Sequence, residues 1–232
     1  MVPTSAPRIN LGHVMKMGLI AISLTVLVLA SGVPTQAQVE TTDDATAVLD
    51  RMLAFTRAHP RMRGRFEHVY FDRARTMEVR STGRFAIELP RIGITMSGGE
   101  AHTIAIDETT ARVLVPRDGE APLLLAFRLE TTPLPPLLAV IAGTTPIADT
   151  YAARRIPAEG DDVVELRPID PSSQVDRVWI EANHDGAITR VMIVDWRGAT
   201  HRVVLSETSY PAHLAASALS PAFPTDAVVV EP

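Results

Sequence analysis

The feature that most constrains this chain is a charge-free stretch of thirteen residues, Thr131–Gly143 (TTPLPPLLAVIAG). Thr132 can cap a helix, Pro133 suits its first position, and Gly143 suits the residue past its end. Pro135 and Pro136 fall in the first turn, where a missing N–H costs little. A helix built from these residues is apolar on every side, and such a helix must be buried on more than one side. The rest of the chain reads almost wholly as short strands. The expected arrangement is therefore a helix laid over the mouth of a curved sheet.

Residues 1–37 read as an export signal. Arg8 and Lys16 precede the apolar run Met17–Ala30, and Thr35-Gln36-Ala37 places small residues where a signal peptidase cuts. The run is short of the about 20 apolar residues that a spanning helix needs. The signal contains two basic and no acidic residues, so the 195 residues that follow carry a formal charge of −7 rather than −5. That balance argues against nucleic acid and against anionic lipid headgroups as electrostatic partners. The chain has no cysteine, hence no disulfide and no lipidated N-terminal cysteine. An exported domain without disulfides needs a core able to stand alone, and residues 38–232 are expected to form one such domain.

Ala45, Val48, Leu49, Met52 and Phe55 recur at helical spacing, and Pro60 stops that helix. From Met62 the period changes to two. Phe66, His68 and Tyr70 alternate with Arg65, Glu67 and Val69. After a polar bend, Val79, Phe85, Ile87 and Leu89 alternate with Arg80, Arg84 and Glu88. Ile92–Met96, His102–Ile106 and Ala111–Val115 read as further strands. Ala121–Leu129 (APLLLAFRL) reads as a second apolar helix. Val163–Pro168 is a strand, and Val175–Ala182 joins Ala187–Asp195 through the hairpin signal Asn183-His184-Asp185-Gly186. The turn Asp195-Trp196-Arg197-Gly198 leads on to Thr200–Ser206. Tyr210–Ala222 reads as short helix or coil, and Val228–Val230 as an edge strand. Roughly ten antiparallel strands must curl or split, which predicts an α+β domain whose two middle helices cover the concave side.

Catalytic and metal chemistry find little support. His59, His68, His102, His184, His201 and His213 are scattered, with no pair at metal-ligand spacing. No nucleophile elbow, phosphate loop or dinucleotide fingerprint occurs. The pairs Asp43-Asp44 and Asp161-Asp162 suit helix capping and turns better than acid–base work. No cofactor and no enzymatic role are expected. What is abundant is apolar surface, read either as an ordinary core or as a cavity for a lipid chain. An acyl chain of about 15 methylenes gains on the order of 12 kcal/mol on leaving water.

The order of segments resembles the periplasmic outer-membrane lipoprotein carriers, the LolA family. After an export signal and a first helix come Phe66-Glu67-His68, the strand Gly83–Pro90 (GRFAIELP), Thr132-Pro133-Leu134, Leu166-Arg167-Pro168, Asp195-Trp196-Arg197-Gly198 and Phe223-Pro224. The likeness runs from about Thr41 to Val230. Three features depart from the family pattern: Leu89 stands where an arginine usually precedes the strand-ending proline, His68 stands where a glutamine is usual, and the aromatic expected shortly after Pro90 is missing. The resemblance implies a half-barrel of antiparallel strands with a helical lid, acting as a monomeric periplasmic carrier. It would receive acylated lipoproteins from an inner-membrane transporter and pass them to an outer-membrane acceptor, without chemistry. A related half-barrel that senses lipid or lipoprotein in the envelope is the alternative. Implied acyl contacts are Phe66, Phe85, Ile87 and Leu89 on the sheet, with Leu134, Leu137, Leu138 and Ile141 on the lid.

Overall fold

A computed structural model describes residues 43–99, 101–129 and 147–231. The export segment expected at residues 1–37, the helix expected at Thr131–Gly143 and its residues Leu134, Leu137, Leu138 and Ile141 lie outside the described residues.

Helix α1 (Asp43–Ala58) leads into twelve strands that form one open sheet. They are β1 (Arg61–Asp72), β2 (Met77–Glu88), β3 (Arg91–Gly98), β4 (His102–Ile106), β5 (Thr110–Val115), β6 (Leu123–Arg128), β7 (Tyr151–Ile156), β8 (Asp162–Pro168), β9 (Val175–Ala182), β10 (Ile188–Asp195), β11 (Thr200–Ser209) and β12 (Val228–Val230). Two single-turn helices, α2 (Ile147–Thr150) and α3 (Ala216–Leu219), complete the described elements. The order across the sheet is β12-β6-β5-β4-β3-β2-β1-β11-β10-β9-β8-β7. The two end strands do not pair with each other, so the sheet is curved and unclosed. Every neighbouring pair is antiparallel except β12–β6, in which the Val228–Val230 edge strand runs parallel to its partner. A long-range join, β1–β11, sets the first strand beside the eleventh at the centre of the sheet.

The expected helix at Ala121–Leu129 is instead β6. Alanine and leucine favour helix, but the strand's alternate residues fit the β5 ladder, Val113 opposite Leu125 and Val115 opposite Leu123, and that burial outweighs local propensity. Strand β7 has no counterpart in the sequence reading. It shows only two clean alternations, Tyr151 and Ala153 against exposed Arg154.

Period-two alternation gives the sheet an inner and an outer face. On the inner face α1 lies across β7 and β8. Ala45, Val48, Leu49 and Met52 on the helix pack with Tyr151, Val164, Leu166, Val178 and Ile180 beneath. Three of those strand residues, Val164, Leu166 and Val178, have no exposed surface at all. Arg51 of α1 pairs with Asp162, which also accepts from Arg155 at 2.8 Å and so pins the helix to the sheet. On the outer face, α3 rests on β2 and β3. Its approach requires Gly93: a Cβ there would sit 2.0 Å from the Ala218 carbonyl oxygen. Beyond α3, Phe223 lies beneath the Arg112 guanidinium at 5.0 Å, and the chain continues to the β12 edge.

Candidate apolar cavity

Between the α1-covered region and the far strands, the inner face holds a cavity of about 260 Å3. Its floor is the middle of the sheet. Met62 and Phe66 come from β1, Phe85 and Ile87 from β2, and Ile94, Met96 and Ile104 from β3 and β4. Val203 and Leu205 of β11 continue the floor, and Ile193 and Val175 form the wall shared with the α1 cluster. The volume lies just below the about 300 Å3 at which ordinary small-ligand pockets begin.

The floor stays low because two phenylalanines lie flat over glycines. Phe66 is directly opposite Gly83, and Phe85 directly opposite Gly64, in the β1–β2 ladder. A Cβ on Gly83 would sit 2.4 Å from Phe66 Cζ, and one on Gly64 would sit 2.9 Å from Phe85 Cζ. With hydrogens in their place, the rings spread along the sheet instead of standing into the void.

One end of the cavity is polar. His68 of β1, His201 of β11 and Asp195 at the end of β10 line it. His68 Nε2 and His201 Nδ1 are 3.2 Å apart, with the rings nearly parallel. Tyr70 lies 4.9 Å from His201 ring to ring. Burial pushes the His201 pKa down to about 4, with the neighbouring His68 adding to the effect. Burial also lowers His68, helped by the proximity of His102. At neutral pH both imidazoles are therefore uncharged. The Asp195 carboxylate forms its turn, accepting from the backbone N–H groups of Arg197 at 2.9 Å and Ala199 at 2.7 Å. Among the described residues, no group of three histidine, aspartate or glutamate side chains is placed to hold a metal.

Of the sheet residues expected to contact an acyl chain, Phe66, Phe85 and Ile87 line the cavity together. Leu89 does not. It lies in the β2–β3 turn and packs on a second cluster built from Ile92, Ile106, Val113, Leu123 and Leu125. The sequence reading did not place Met62, Ile94, Met96, Ile104, Val203 and Leu205 in this site. Their signal was available in part. Each sits at an inward position of a strand opposite, or one strand removed from, Phe66 or Phe85: Phe66 pairs with Leu205, and Phe85 with Ile94.

No protein-family model matches the chain, and no curated protein sequence matches it. Three of the solved structures with a similar outline illustrate the level of likeness. A LolA superfamily protein from Nitrosomonas europaea is 12% identical over 76% of this chain and 97% of its own, with a TM-score of 0.40. A domain described as an outer membrane lipoprotein-sorting protein from Vibrio parahaemolyticus is 9% identical over 77% and 97%, at 0.36. Lipoprotein LppX of Mycobacterium tuberculosis is 10% identical over 75% and 100%, at 0.40. Likeness at this level transfers no activity, so the cavity's own chemistry has to carry the functional reading.

Proposed function

We propose that this protein is an envelope carrier that shelters the acyl chain of a lipoprotein. The observation that carries the reading is the cavity on the inner face, whose described lining is apolar except at one end. A void of that character in an otherwise well-packed sheet removes methylenes from water, at about 0.8 kcal/mol for each one buried. The work asked of it is binding and release, not bond-making.

On this reading residues 1–37 direct export to the periplasm, and residues 38–232 form the carrier domain. Phe66, Phe85 and Ile87 contact the chain, and Leu134, Leu137, Leu138 and Ile141 supply a lid. Cargo arrives from an inner-membrane transporter and leaves to an outer-membrane acceptor. A charge-free segment between prolines and a glycine suits that cycle, because it carries no side chain able to form an ion pair that would hold it shut.

The test is extraction. The protein without residues 1–37, incubated with membranes carrying a triacylated lipoprotein, is expected to yield a soluble one-to-one complex that then delivers the lipoprotein to outer-membrane vesicles. Binding of free lipid with no lipoprotein transfer would contradict the carrier role and point to a lipid-sensing adaptor.

A further inference from the structure

The polar end of the cavity has a composition that a pure hydrocarbon site does not need. His68 and His201 lie 133 residues apart in the chain, and the β1–β11 pairing brings their ring nitrogens to 3.2 Å. Burying two imidazoles beside Phe66 and Met96 costs free energy unless their hydrogen bonds are made.

The pair shares one proton between His68 Nε2 and His201 Nδ1. When His68 donates it, His201, which lines the cavity, must carry its own proton on Nε2 and then has an N–H donor to offer. His201 makes no other hydrogen bond among the described residues. The Asp195 carboxylate stands at the same end. An anion placed there would meet a like charge and, among the described lining residues, no lysine or arginine. A neutral acceptor would meet a donor.

Resting on the carrier reading above, we propose that the His68–His201 pair is a polar anchor for the ester carbonyl at the head of one acyl chain. The cavity then selects fatty-acyl esters over bare hydrocarbons of the same length and over ionised fatty acids. The ester is common to two sources, a free glycerolipid and the acylated cysteine of a lipoprotein. His201 makes the contact, and His68 positions it by fixing which of its nitrogens carries the proton.

The experiment is displacement of the neutral dye N-phenyl-1-naphthylamine from the protein without residues 1–37, at pH 7.5. Methyl palmitate is expected to displace it at about fivefold lower concentration than hexadecane, the yield of one net hydrogen bond, and palmitate less well than the ester. His201→Leu should bring the ester to the hydrocarbon level while leaving hexadecane unchanged. His201→Gln, which keeps an N–H donor, should restore most of the preference. A diacylglycerol and a diacylglyceryl-cysteine lipopeptide identify the source, and both should weaken by the same factor in His201→Leu. An undiminished ester preference in His201→Leu would overturn the anchor and leave the carrier reading intact. Failure of every chain to displace the dye, with the variants folded by urea titration, would overturn both.

Discussion

Two regions of one sheet face differ in what the same residue pattern produces. Under α1, inward residues of β8 and β9 are fully buried: Val164, Leu166 and Val178 have no exposed surface. A few strands away, the inward residues Ile87, Val203 and Leu205 stay half-buried and line a void. Alternation decides which face a side chain joins. What lies against that face decides whether the result is core or binding site.

The contrast predicts unequal costs for equal truncations. Leu166→Ala leaves a hole in a packed cluster and should lower stability by about 3 kcal/mol in urea titration, with dye binding unchanged. Ile87→Ala enlarges a void that already exists. Because Ile87 is only half-buried, the truncation should cost about 1 kcal/mol and alter binding instead. Equal stability losses at the two sites would erase the distinction.

Acid sharpens the contrast next. The unfolded chain protonates His201 below about pH 6.5, while in the fold the group stays neutral down to about 4. The contribution is therefore complete above about 6.5 and is lost as the pH falls through that window. A depression of this size corresponds to on the order of 3 kcal/mol, and the lowered His68 adds in the same direction. His201→Leu should flatten stability between pH 6.5 and 4, measured against the parent at matched ionic strength. An unchanged slope would mean that the cavity's polar end is open to water.

A smaller effect is expected from filling the void from below. Gly83→Ala places a Cβ where the Phe66 ring lies, so the ring must rise into the cavity or the strands must part. Chain binding should weaken by about tenfold, on the order of 1.4 kcal/mol. The α1 region should keep its hydrogen-exchange protection. Loss of protection across α1 would show that the two regions are one cooperative unit.

The smallest effect is at the helix clasp. Arg51→Ala removes a partly exposed ion pair to Asp162, which keeps Arg155 as a partner. The loss should be about 1 kcal/mol or less, read as a small shift in the urea midpoint with binding intact.

Much of the frame was legible in the residues. The Asn183–Gly186 turn is a hairpin because Asn183 Oδ1 accepts from the N–H groups of Asp185 and Ala187. The Asp195–Gly198 turn works in the same way, through Asp195 and a glycine at positive φ. These are local interactions, and local sequence reports them. Phe66, Phe85 and Ile87 were also legible, since period two marks an inner face. The strand at Leu123–Arg128 was not, because its leucines and alanine carry helix propensity, and only the β5 ladder decides against it. The histidine pair was hidden for a similar reason. In the sequence His68 and His201 are two of several scattered histidines, and nothing local announces that β1 and β11 will be neighbours.

The central claim is that the void beside Phe66 and Phe85 takes an acyl chain. It is tested most directly by photo-crosslinking with a palmitoyl ester that bears a diazirine near the chain end, followed by peptide mapping. Labelling is predicted on Met62, Ile87, Met96, Val203 and Leu205. Labelling confined to exposed apolar residues such as Trp196 and Ile169, with none on the cavity floor, would contradict it.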